Sequence, residues 1–189
     1  MQKNPVQLLK KGRVIGFPTD TVYGMGCILS EECVKKLVKL KGKRAKPFAI
    51  FLSSPDKVNI YVTEIKPYVK NLMNCFWPGP LTLVFYGNPL LPEGVLSEEK
   101  KVGIRIPNNK KIQEWLKDIE KPLIQTSANK SGKPSPLSDI DVKIKLDYLV
   151  PGKSSLGEPS TVLDVTGSIP IILREGTIKE QEILKCLEE

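Results

Sequence analysis

The 189-residue sequence contains no histidine. Imidazole is therefore missing both as general base and as metal ligand. This excludes a Ser–His triad, a histidine-held zinc hydrolase and a phosphohistidine enzyme. No side chain is expected to act as a conventional catalytic acid or base, and no metal site made by the protein is expected. Chemistry must rest on Lys, Arg, carboxylates, hydroxyls, backbone amides, or a metal ion carried in by a substrate. Cysteine is scarce as well: Cys27, Cys33, Cys75 and Cys186 include no CxxC pair. That argues against a structural zinc or a dithiol motif, and four scattered thiols fit a reducing compartment. Long apolar runs are absent, and the opening Met1–Arg13 lacks a signal-peptide core. A cytoplasmic protein with no membrane partner is expected.

Arginine is rare too. Of 29 basic residues, only Arg13, Arg44, Arg105 and Arg174 are arginines. Where lysine is the default cation, an arginine marks a place that wants a planar fork for carboxylate or phosphate. What is present is ordinary for a globular chain: 40% hydrophobic and 26% charged residues. One domain over residues 1–189 is expected, and at this size roughly 70% of the unfolded surface can be buried without a staple. The net charge of +8 suits either a solvated lysine surface or an anionic partner such as nucleotide or nucleic acid.

Apolar periodicity places strands at Arg13–Phe17, Thr21–Cys27, Phe48–Leu52, Leu81–Tyr86, Val102–Ile106, Pro122–Gln125, Tyr148–Val150, Ser160–Val165 and Pro170–Leu173. A helix is predicted over Ser30–Lys41, with Ser30 as N-cap, Glu31 and Glu32 in the first turn, and Cys33, Val34, Leu37 and Val38 as its apolar stripe. Others are predicted at Glu64–Phe76, Lys110–Lys117 and Lys179–Leu187, the last burying Ile183, Leu184 and Leu187. A brief helix opens at Ser54–Pro55, and residues 127–138 read as a Ser/Gly/Pro loop. The elements intermix without strict βαβ alternation. The expected fold is α/β: a twisted, open mixed sheet with helices packed on it.

Seven segments carry chemistry-bearing residues. In 17–24 (FPTDTVYG), Thr19, Thr21 and Tyr23 share one face if the segment is extended. In 41–47 (KGKRAKP), four cations lie within six residues; Lys41 also suits a helix C-terminus. In 77–82 (WPGPLT), two prolines around a glycine make a rigid corner. In 104–107 (IRIP), Arg105 inside an apolar strand must reach solvent or meet an anion, and a substrate carboxylate and a structural Asp or Glu both answer that need. Segment 126–132 (TSANKSG) offers amides and hydroxyls to phosphates, without Walker A spacing. Segments 159–164 (PSTVLD) and 173–176 (LREG) complete the set.

Together, and in this order, these strings resemble the YrdC-domain family of threonylcarbamoyl-adenylate synthases. The resemblance runs from about residue 13 to 178. It implies a YrdC-like fold with a large basic concave surface. It also implies a reaction in which L-threonine, bicarbonate and ATP give threonylcarbamoyl-AMP and pyrophosphate, with Mg2+ carried in on ATP. Downstream threonylcarbamoyl-transferase proteins would then modify tRNA, and tRNA itself is a further partner to test. Residue by residue, the resemblance assigns Thr21, Arg105, Gln125 and the position of Phe51 to L-threonine. It assigns Lys43 or Arg44, Lys46, Lys101, Ser127, Ser135, Ser160 and Arg174 to ATP. Thr19, Tyr23, Lys41, Pro80, Thr82, Ala128 and Asn129 line the cavity. Two departures stand out. The cationic run is about one residue short, so either Lys43 or Arg44 takes the family arginine's role. Phe51 stands where a histidine is common, which exchanges a polar contact for packing.

Such chemistry needs orientation and charge stabilisation more than covalent help, which suits a chain without histidine. A noncatalytic module binding tRNA or double-stranded RNA in the same hollow is the alternative. RNP-like aromatics and a KH-type GxxG loop are absent, and aromatics make up 6%, which weighs against base recognition. A carbamoyl-adenylate enzyme of the hydrogenase-maturation kind is a third reading, without that protein's acylphosphatase and zinc-finger parts.

Overall fold

A computed structural model describes residues 4–42, 48–92 and 94–188. Five α-helices are α1 (Pro5–Lys10), α2 (Glu31–Lys41), α3 (Pro67–Phe76), α4 (Lys110–Ile119) and α5 (Glu180–Glu188). Nine strands are β1 (Ile15–Phe17), β2 (Gly24–Ile28), β3 (Ala49–Phe51), β4 (Leu81–Tyr86), β5 (Lys101–Arg105), β6 (Leu123–Ser127), β7 (Tyr148–Leu149), β8 (Thr161–Asp164) and β9 (Ile171–Arg174). They form one mixed sheet in the order β7-β1-β2-β6-β3-β5-β4-β8-β9. The α/β class with a mixed open sheet is as expected.

Local chemistry explains most boundaries. Ser30 caps α2 by accepting from the Cys33 amide, and Gly42 at φ 78° ends it. Pro67 sits in the first turn of α3, so that helix starts later than Glu64. Asn109 caps α4, whose Ile112, Leu116 and Ile119 recur at helical spacing and are buried. The helix α1 was not expected. Asn4 caps it with bonds to the Val6 and Gln7 amides, and Pro5 occupies its first turn.

The register sorts side chains onto two faces. One face carries Met25, Cys27, Ile50, Leu83, Ile104, Ile124 and Leu163, and it packs on α2, α3 and α5 in the main apolar cluster. On the other face, α1 and α4 cover Ile15, Phe17, Phe51 and Leu123, with Ile28 and Tyr148 at the margin, in a second cluster. Two expectations about helix faces fail here. Val38 and Leu184 are exposed, whereas Cys186 is buried on α5. Cys186 is bonded to Cys75 of α3, so the reading of four scattered thiols is wrong for this pair. The two cysteines are 111 residues apart, beyond the reach of local spacing rules. Cys27 and Cys33 are free and buried. Among the described residues, no helix is long and apolar enough to cross a membrane.

Candidate functional site

Strand pairing puts a polar strip on the second face, between the α1/α4 cover and β9. Gly24 pairs with Ser127, and Gly26 with Gln125; Gln125 also pairs with Ala49. Ala49 pairs with Gly103 and Phe51 with Arg105. Val84 pairs with Gly103 and Asp164, Thr82 with Val162, and Val162 with Arg174. Opposed residues point to one side of a sheet. Ser127, Gln125, Arg105, Thr82, Asp164 and Arg174 therefore share a face, floored by Gly24, Gly26, Ala49 and Gly103. Apart from Phe51, these residues belong to neither apolar cluster. The floor is small by necessity at Gly26, where a Cβ would stand 2.7 Å from the Ile124 carbonyl oxygen and 3.1 Å from the Gln125 Cβ.

Arg105 is the hub of one end. It is only 2% exposed. Its Nε donates to the Gly79 carbonyl at 2.9 Å, and its Nη1 donates to Thr21 Oγ1 at 2.9 Å. Its Nη2 lies 2.6 Å from Asp20 Oδ1, but neither atom has a hydrogen bond of normal alignment. Asp20 is 4% exposed, and its Oδ2 accepts from the Asn108 amide at 3.2 Å. Burial pushes the Arg105 guanidinium down from its ordinary value, and the Asp20 charge opposes that shift. The Phe51 ring lies 5.7 Å from the guanidinium carbon. Of the two anions expected for Arg105, the structural carboxylate is present. Asp20 was not singled out from the sequence, although a buried arginine demands such a partner and Asp20 lies inside the FPTDTVYG string.

Segment 18–23 is not a strand. It bends at Asp20–Val22, and the Leu156 and Gly157 amides hold it by bonding to the Asp20 and Thr21 carbonyls. Thr19 and Thr21 do meet, with hydroxyls 3.0 Å apart. Tyr23 does not join them. It is fully buried in the main cluster, and its hydroxyl donates to the Val150 carbonyl at 2.7 Å. Ala128 is also a core residue. Neither lines the strip.

At the β6 end, Lys41 Nζ donates to the Ser127 carbonyl at 2.9 Å, to Ser127 Oγ at 3.1 Å and to Asn129 Oδ1 at 2.8 Å. Three acceptors fix this ammonium at the mouth of the loop after β6. Ser135 is half-buried farther along the same loop. At the β8 end, Thr82 and Ser160 hydroxyls lie 2.9 Å apart. Arg174 donates to the Ser160 carbonyl from Nε at 3.1 Å and from Nη2 at 2.7 Å. Burial holds the Arg174 guanidinium below its ordinary value. Pro80 keeps β4 against β8 by accepting from the Thr161 amide. Lys101 is committed to two carboxylates, Asp164 at 2.9 Å and Glu99 at 2.9 Å. These partners raise its ammonium above the ordinary value. Asp164 is the second residue that sequence reasoning passed over. The cationic-run residues Lys43, Arg44 and Lys46 lie outside the described residues.

A surface groove of about 720 Å³ lies elsewhere, between α1, α4 and β7. It contains none of the expected site residues, and the chemistry-bearing side chains converge on the strip instead.

Comparison with known proteins bears on this arrangement. A family profile for Sua5, YciO and YrdC proteins, described as "Telomere recombination", matches residues 7–176. The threonylcarbamoyl-AMP synthase of Pyrococcus abyssi is 34% identical over 188 residues, covering 96% of this chain and 55% of that protein. The chain thus spans about half the length of that relative. A putative threonylcarbamoyl-AMP synthase of Methanocaldococcus jannaschii is 33% identical over 196 residues, covering 98% of this chain and 92% of that protein. The crystal structure of P. abyssi Sua5 complexed with L-threonine superimposes with a TM-score of 0.88 at 34% identity, over 96% of this chain and 55% of that one.

Proposed function

The chain belongs to the Sua5/YciO/YrdC family, and from that membership we propose that it makes threonylcarbamoyl-AMP from L-threonine, bicarbonate and ATP. The amine of threonine attacks the carbon of bicarbonate and water leaves, giving a carbamate. A carbamate oxygen then attacks the α-phosphorus of ATP, and pyrophosphate departs. Two observations support this reading: relatives bear that name, and a similar structure is a complex with L-threonine. The observation that carries it is the sheet register, which sets Gln125, Arg105, Ser127 and Arg174 on one strip outside both apolar clusters.

The strip divides into two subsites. Thr21, Arg105 and Gln125 take the amino acid, beside the packed Phe51. Ser127, Ser135, Ser160 and Arg174 take the nucleotide, joined by Lys46 and by Lys43 or Arg44. Lys41 holds the Ser127 loop in place for that task. Lys101, tied to Asp164 and Glu99, shapes the strip's edge rather than meeting phosphate. Magnesium belongs to the nucleotide substrate and stays mainly on its phosphates. The protein orients two anions and spreads charge over the phosphorus transition state. In the cytoplasm, downstream proteins would move the threonylcarbamoyl group to tRNA.

The test mixes purified protein with ATP, L-threonine and bicarbonate and follows pyrophosphate. Release that requires both threonine and bicarbonate supports the reading. Pyrophosphate release indifferent to threonine sinks it. Tight tRNA binding without any such release would favour the noncatalytic module.

A further inference from the structure

The hydrogen bonds around Thr21 leave its hydroxyl one unused lone pair. The Thr19 hydroxyl donates to the Val22 carbonyl at 2.7 Å. Its single proton is thereby used. Thr19 Oγ1 accepts the Thr21 amide at 3.0 Å and lies 3.0 Å from Thr21 Oγ1. Because Thr19 has no second proton, Thr21 must donate across that contact. Thr21 Oγ1 in turn accepts from Arg105 Nη1 at 2.9 Å. The order is fixed: Arg105 to Thr21 to Thr19 to Val22. Thr21 is left with one lone pair and no proton. It can accept from a ligand but cannot donate. Alongside it, Arg105 Nη1 carries a second N–H besides the one given to Thr21, while Nη2 faces Asp20 Oδ1 at 2.6 Å.

We infer that Thr19 is a positioning residue that makes Thr21 a pure acceptor for an N–H donor of the amino-acid substrate. This rests on the proposed synthesis reaction and sharpens its amino-acid subsite. An acceptor from Thr21 beside a donor from Arg105 complements the N–H and carboxylate carried on one α-carbon. It suits the threonine amine and, after carboxylation, the carbamate N–H equally. Asp20 supports the same geometry from the far side of the guanidinium. Thr19 touches neither ligand; it acts through Thr21.

The experiment compares the wild-type enzyme with Thr19→Ser and Thr19→Val in threonine-dependent pyrophosphate release. Thr19→Val keeps the size and the methyl group but removes the hydroxyl, so the Thr21 hydroxyl and amide lose their acceptor and the hydroxyl is free to turn its proton toward the ligand. A buried polar group left unpaired shifts an equilibrium by roughly tenfold or more. The expected result is a KM for threonine raised about tenfold, a KM for ATP unchanged, and near wild-type values in Thr19→Ser. Urea denaturation of each variant checks that the fold persists. Equal losses for threonine and ATP, no loss in Thr19→Val, or no rescue by Thr19→Ser would each overturn the inference. If Thr19→Val does not fold, Thr19→Cys, with its weaker acceptor, must show an intermediate KM for threonine, and a wild-type KM there overturns the inference. A wild-type enzyme that ignores threonine overturns the proposed reaction, and this inference with it.

Discussion

Replacing Asp20 by Asn removes one charge from a pair in which both members are buried: Asp20 is 4% exposed and Arg105 2%. The amide keeps the shape and can still accept from the Asn108 backbone, so the change isolates the charge facing Arg105 Nη2 at 2.6 Å. Breaking a buried ion pair from one side costs about 3–5 kcal/mol, because the other charge stays desolvated. The retained hydrogen bonds from Arg105 to Gly79 and Thr21 place the expected loss near the lower end, about 3 kcal/mol. For a chain of this length that lowers the melting temperature by about 6–12 °C. It also removes a large part of a total stability on the order of 5–15 kcal/mol. Urea denaturation of the wild type, Asp20→Asn, Arg105→Met and the double variant provides the assay. The double variant is expected to be more stable than the sum of the single losses by about 2 kcal/mol or more, since it strands no charge. An Asp20→Asn variant within about 0.5 kcal/mol of wild type, or strict additivity in the cycle, would refute the pairing as a source of stability.

Other consequences can be checked separately. Cys186→Ser opens the link to Cys75, which closes a 111-residue separation; the loss should approach 4–5 kcal/mol in the chain-entropy picture, and unchanged denaturation under oxidising conditions would count against it. Burial alone would raise the Asp164 carboxyl, yet bonds from Thr166 and Lys101 hold it below the ordinary value. Its contribution is therefore complete above the unfolded carboxylate value and fades as pH falls through the lower folded one. Asp164→Asn should thus be less stable than wild type at neutral pH, with the gap narrowing below about pH 4. A gap independent of pH between neutrality and strong acid would remove that carboxylate from the account. Circular dichroism during acid titration is sufficient to read it.

Much of the architecture follows from local rules that the residues display openly. Ser30, Glu31 and Glu32 announce α2, and the spacing of Ile112, Leu116 and Ile119 announces α4. The α1 segment escaped notice because six residues hold only one buried side chain, Leu9, too few for periodicity to register. In FPTDTVYG, alternation of polar residues imitates a strand. The bend at Asp20–Val22 wins because the Asp20 and Thr21 carbonyls are held by Leu156 and Gly157, which no local pattern encodes. The same limit explains the partners that were missed. Asp20 meets Arg105, and Lys101 meets Asp164, only after the strands are ordered. The site strings were legible as chemistry. Which side chain faces the strip required the register: it keeps Arg105 and Gln125 there and sends Tyr23 and Ala128 into the core.

The measurement that bears most directly on the strip's proposed chemistry follows the carbon of isotopically labelled bicarbonate by nuclear magnetic resonance, in the presence of ATP and nitrogen-labelled L-threonine. The expected result is a new carbonyl signal, coupled to the threonine nitrogen and carried on an adenylate, that appears only when all three substrates are present. Conversion of ATP with the label left entirely in bicarbonate would contradict the account.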